Sequence, residues 1–250
     1  MNRVFLVAVL IAACSAANVG AQVLTVVPVN FTTVEGNSSS STLFQAGASS
    51  LQVFYSEAFL SAAGITPGAV IDGLAYRRNG GGSTGPAGDT TMLNYNVFLS
   101  QSFADPTSMT TTFASNVVGP QIQVYSGSLT FPANSFPGGA SPNAFGPTIN
   151  FATPYTYTGG SLLIEVRRSA RTGDTTSFLT DVDNTAATQV GARWLFNLTS
   201  DTATTGTISA SGQIFQLRYT PIPEPTSLVL VGGAGIAAFW IRRFRGRSRA

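Results

Sequence analysis

The stretch Leu93-Asn94-Tyr95-Asn96-Val97-Phe98-Leu99 places Leu93, Tyr95, Val97 and Leu99 on one side of an extended chain and Asn94, Asn96 and Phe98 on the other. A period of two is the mark of a strand with one face against a core. Leu162-Leu163-Ile164-Glu165-Val166-Arg167 repeats the pattern, with Leu162, Ile164 and Val166 predicted inward. Glu165 and Arg167 then share the other face, where a solvated ion pair is expected.

Working outward, residues 22–34 (QVLTVVPVNFTTV) predict an opening strand, and Pro28 suits a sheet edge. Leu51–Tyr55, Val70–Arg78, Thr148–Phe151, Ala192–Leu198 and Gln213–Tyr219 read as further strands. Ile122–Tyr125 and Leu129–Phe131 flank Ser126-Gly127-Ser128, which predicts a bend or bulge. The segment from Tyr55 to Pro67-Gly68 reads as a turn region, and no helix is expected outside the two chain ends. About nine or ten short strands broken by turn residues predict an all-β domain, a single β-sandwich of jelly-roll type. No repeat of fixed period is present, which argues against a solenoid or a threonine-ladder ice-binding face.

Composition narrows the chemistry. The chain has no histidine and no lysine, and Cys14 is its sole cysteine. Ser-His-Asp and Cys-His catalysis and histidine-based zinc sites are therefore ruled out. Asn79–Asp89 (NGGGSTGPAGD) lacks the lysine a phosphate-binding loop requires and reads as a connection between strands. A glycosidase needs only two carboxylates, but no spacing pairs Glu57 or Glu165 with a second acid, so no enzyme is expected. Thirteen arginines give a net charge of +2. Between residues 22 and 220 only seven arginines face ten acids, so that span is acidic and nucleic acid is not an expected partner.

Two groups are candidates for binding. Asp181-Val182-Asp183-Asn184 offers oxygen ligands to calcium, or a strand-to-turn junction. Tyr155 and Tyr157 share a strand face and Trp194 lies in another strand, so exposed rings there would stack on sugars, whereas buried rings would be core. These candidates define the alternative function, a lectin-like carbohydrate-binding module with or without calcium. No cofactor is expected.

The chain ends carry the strongest signals. Met1-Asn2-Arg3, the apolar run Val4–Ala13 and Val19-Gly20-Ala21 form a secretory leader, residues 1–21, with cleavage between Ala21 and Gln22. Ser15-Ala16-Ala17 is a second possible cut. Ile11-Ala12-Ala13-Cys14 resembles a bacterial lipobox, in which Cys14 would be lipidated. At the other end, Pro221, Pro223 and Pro225 precede an uncharged run, residues 226–241. As a helix this run spans about 24 Å against a hydrocarbon core of about 30 Å, a short transmembrane segment. Arg242, Arg243, Arg245, Arg247 and Arg249 follow and hold the terminus on the cytoplasmic side.

Pro223-Glu224-Pro225, the glycine-containing apolar run and the terminal arginines together resemble a PEP-CTERM sorting signal over residues 221–250. Ile222 stands where valine is more usual. The same type of tail is sometimes labelled an ice-binding-protein C-terminal domain. The resemblance implies a Gram-negative bacterium that secretes exopolysaccharide, and an exosortase-type processing enzyme as partner. It also implies export through the Sec machinery, a membrane-anchored precursor, and a mature form at the cell surface or in the extracellular matrix. Ala75–Arg78, Thr112–Asn116 and Gly160–Val166 loosely resemble extracellular domains that precede such tails, a group with no established activity. The organisation expected is leader 1–21, extracellular domain 22–220 and sorting signal 221–250.

Overall fold

The computed structural model describes residues 21–81, 84–184 and 191–222, and within it Gln22–Pro221 form one compact unit. Strands dominate it. The first five are β1 (Val23–Val27), β2 (Ser38–Ser40), β3 (Ser49–Tyr55), β4 (Val70–Tyr76) and β5 (Thr90–Gln101). Next come β6 (Val118–Phe131), β7 (Ile149–Thr156), β8 (Leu162–Arg168), β9 (Arg171–Gly173) and β10 (Thr180–Asp183). The last are β11 (Ala192–Asn197), β12 (Thr207–Ser209), β13 (Gly212–Gln213) and β14 (Phe215–Thr220).

These strands make an all-β fold of three antiparallel sheets. One sheet has the order β1-β14-β4-β7. A larger one runs β12-β11-β3-β8-β5-β6, with β9 added to β5. A small sheet, β13-β10-β2, joins segments far apart in sequence. The two larger sheets contribute to one apolar cluster. Leu51, Val53 and Tyr55 of β3, Val97 and Leu99 of β5, and Ile164 and Val166 of β8 share it with Ile71 and Leu74 of β4 and Phe215 and Leu217 of β14. Each such side chain contributes about 1.5–3 kcal/mol by leaving water. Aromatic contacts join the sheets, as in the edge-on pair Tyr55 and Phe215 with centroids 6.1 Å apart.

Four expectations change on contact with tertiary structure. First, β5 does not keep one period. Met92 and Tyr95 are buried, whereas Leu93 is 62% exposed. The register slips between Met92 and Tyr95, where Met92 faces Leu129 and Tyr95 faces Gly127 on β6. This bulge inserts one residue and turns Leu93 outward.

Second, β8 is covered on both faces. Leu163, Phe54 and Leu195 on its far side pack with Met109 and Phe113, which come from the 102–117 connection. Glu165 is therefore buried rather than solvated. Its carboxylate accepts Nε2 of Gln52 at 2.7 Å and of Gln121 at 3.0 Å, as well as Arg167 Nε.

Third, a helix forms where a turn region was expected. Helix α1 spans Glu57–Ala62, and Ser56 Oγ accepts the Phe59 amide at 3.4 Å as its N-cap. Glu57 in the first turn favours the positive end of the helix dipole. Fourth, the opening strand stops at Val27, because Pro28 leads into a 3-10 turn over Val29–Phe31.

Candidate functional site

The C-terminal segment leaves the fold from an interior strand. β14 lies between β1 and β4, with Val23 opposite Tyr219 and Val70 opposite Thr220. Pro221 then offers no N–H for further pairing, and Ile222 is 54% exposed. The N-terminal side ends at the same place, since Ala21 and Gln22 immediately precede β1. A polar clamp ties the strand ends together there. Arg218 Nε donates to Asp72 Oδ1 at 2.7 Å, and its Nη1 donates to Asn150 Oδ1 at 2.8 Å. Gln22 Nε2 donates to the other Asp72 oxygen at 2.5 Å. One residue from each strand or its immediate flank thus spans the four-stranded sheet.

Pro223, Glu224, Pro225, Arg242, Arg243 and Arg245 lie outside the described residues, as do the apolar run 226–241 and leader residues 1–20. Among the described residues no helix is long and apolar enough to cross a membrane.

The calcium candidates have other partners. Asp181 is fully buried on β10, and its Oδ2 accepts Arg77 Nε at 2.6 Å. Its Oδ1 accepts the Gly36 amide at 3.0 Å and Asn79 Nδ2 at 2.9 Å. Asp183 is also buried, and Asn184 Oδ1 accepts Ser211 Oγ at 2.6 Å. Among the described residues no group of three or more His, Cys, Asp or Glu side chains could hold a metal. Asp181 is instead the counter-ion of Arg77, which also donates to the Phe31 and Val34 carbonyls and stacks 5.1 Å from the Phe145 ring.

The sugar-binding candidates are core residues. Tyr157 is fully buried, and Tyr155 and Trp194 are each 6% exposed, so none presents a ring face to solvent. Tyr155 and Tyr157 do share one face, as the alternation predicts. That face points into the apolar cluster. Burial, with a smaller contribution from Glu57, pushes the Tyr157 phenol up to about 12.

Sequence reasoning missed the buried cationic site at Arg168. This guanidinium is held by the carbonyls of Thr42, Gln45, Gly47 and Ser169 at 2.7–3.1 Å. Burial lowers it to about 10. Tyr76 and Tyr95 meet beside it, hydroxyl to hydroxyl at 2.5 Å, and burial raises both phenols. Arg168 ends a strand rich in apolar residues, and nothing local distinguishes it from half-buried Arg167.

A cleft of about 620 Å³ opens beside β1 and β14, lined among others by Leu24, Val26, Val29, Arg77, Phe145 and Gln216. The charged group on it, Arg77, is engaged by Asp181 and two carbonyls. No protein-family model matches the chain, and no curated protein matches it either.

Proposed function

We propose that this chain is an exported cell-surface or extracellular-matrix structural protein, sorted and cut at its C-terminus by an exosortase-type enzyme. In this reading residues 1–21 direct Sec export, and residues 22–220 are a non-enzymatic β-sandwich of jelly-roll type. Residues 226–241 hold the precursor in the membrane until the cut near Pro223-Glu224-Pro225, and the mature domain is released among exopolysaccharide. The observation that carries the proposal is the ordered tail: Pro-Glu-Pro, sixteen uncharged residues, then five arginines in the last nine. Support from the fold is that, among the described residues, the last one paired in a strand, Thr220, stands only three positions before Pro223. A cut there leaves every strand of the described residues intact.

The test is the intact mass and cellular fraction of the protein in its own host, with and without alanines at Pro223, Glu224 and Pro225. The parent form is expected to lack Trp240 and the terminal arginines and to leave the membrane fraction. The triple variant is expected to keep both and remain membrane-bound. Identical mass and location for the two forms would sink the processing proposal.

A further inference from the structure

β1 forms one edge of the four-stranded sheet, and among the described residues it is the edge with the least protection. It pairs with β14 in an unbroken register from Val23 opposite Tyr219 to Val27 opposite Phe215. Every second residue of an antiparallel strand turns its N–H and C=O away from its partner. Among the described residues no other strand pairs with that side of β1. The strand reads VLTVV, with no charge, no proline and no bulge.

The other edges are blunted, which is how sheets avoid pairing with other chains. β7 contains Pro154 and lies beside β6. β6 contains Pro120, and its pairing with β5 slips at three places. β2, β9, β12 and β13 are only two or three residues long. The cleft of about 620 Å³ follows the open edge, where Leu24, Thr25 and Val26 line it with Val29, Ala144 and Phe145. Leu24 is 56% exposed there.

We infer that β1 is a self-pairing edge, to which a second copy of this chain adds its own β1 antiparallel about a two-fold axis at Thr25. The strand is complementary to itself in that register. Thr25 meets Thr25, Leu24 of each copy meets Val26 of the other, and Val23 meets Val27. Threonine opposite threonine and aliphatic opposite aliphatic are favourable cross-strand pairs, and no charge is set against a like charge. Leu24 of the second copy enters the cleft beside Val26. The two four-stranded sheets become one of eight strands, in the order β7-β4-β14-β1-β1-β14-β4-β7. Because each copy uses the same patch, the contact closes as a dimer rather than growing into a fibre. The pairing depends on residues 23–27 and not on how the tail is processed.

Mass and cross-linking test this together. The full chain, with Cys14→Ser so that it holds no other thiol, is purified in detergent micelles, and its polypeptide mass is read by light scattering across a concentration series. Two chains per particle are expected at high concentration. Leu24→Glu, whose carboxylate would lie opposite Arg218 of its own copy, is expected to keep the parent's thermal melt and stay at one chain per particle. Thr25→Cys is expected to form an intermolecular disulfide on mild oxidation, since directly opposed Cβ atoms of paired strands stand about 4.5–5.5 Å apart. Leu93→Cys, more exposed at 62% but on an interior strand, is expected to cross-link several-fold less. One chain per particle at every concentration would overturn the self-pairing edge. So would two chains per particle that Leu24→Glu leaves intact, or equal cross-linking of Thr25→Cys and Leu93→Cys. Should Leu24→Glu fail to fold, the cross-linking ratio decides.

Discussion

At the scale of single residues, the most consequential side chains are buried charges whose partners come from distant parts of the chain. Arg77 and Asp181 are 104 positions apart and both essentially without solvent contact. Removing one member of such a pair leaves the other charge desolvated and uncompensated, at a cost of about 3–5 kcal/mol. Arg77→Met is therefore expected to lower the unfolding free energy by that amount, read from urea denaturation, and adding Asp181→Leu to recover part of it. Equal midpoints for Arg77→Met and the parent would show that the pair does not matter. Neither member was legible as a partner of the other. Asp181 reads from its neighbours as a calcium ligand or a turn residue, because a local pattern reports which side of a strand a residue takes and nothing about what arrives there.

At the scale of elements, β5 shows both the reach and the failure of periodicity. Tyr95, Val97 and Leu99 take the inward face that the alternation predicts, and Leu93 does not. The bulge at Leu93 and Asn94 is imposed by pairing with β6 and with the 168–171 corner, where the Ser169 amide donates to the Asn94 carbonyl at 2.8 Å. Mutation separates the two registers. Leu93→Lys is expected to change stability by less than about 0.5 kcal/mol, as at an ordinary surface position. Met92→Ala is expected to cost about 2–5 kcal/mol by opening a core cavity. Denaturant midpoints decide it, and the reverse ranking would restore the unbulged register. On β8 the inward set Leu162, Ile164 and Val166 was legible, whereas the burial of Leu163 and Glu165 was not. The cover over them, Met109 and Phe113, belongs to a connection with no strand or helix period to read.

At the scale of the whole molecule, titration follows from composition together with burial. With no histidine, the folded unit has no side chain that ordinarily titrates between pH 5 and 8, so stability should be flat there. On the acid side, amide hydrogen bonds from Thr176, Gly88 and Ala87 lower Asp174 to about 2, and Thr107 lowers Asp105. A depressed carboxylate stabilises above its unfolded pKa, and that contribution is lost as pH falls from about 4 to 2. On the alkaline side, burial raises Tyr55, Tyr76 and Tyr95 well above 10. These groups hold their protons more tightly when folded, so stability falls as pH rises past about 10. Arg168, lowered to about 10, and Arg171, also lowered by burial, work in the opposite direction, but the more numerous buried tyrosines outweigh them. Thermal melts from pH 2 to 12 should trace this plateau with two flanks, and a steep change near pH 6 would contradict it. By itself the sequence determined the all-β class, the inward face of most strands and the export-and-sorting hypothesis, because strand period and terminal motifs are local properties. Only the tertiary structure decided that Tyr155, Tyr157 and Trp194 are core, that Asp181 serves Arg77, and that β1 begins beside the end of β14. Those outcomes depend on which distant strands pair, and burial is settled by what covers a face as well as by the pattern along it.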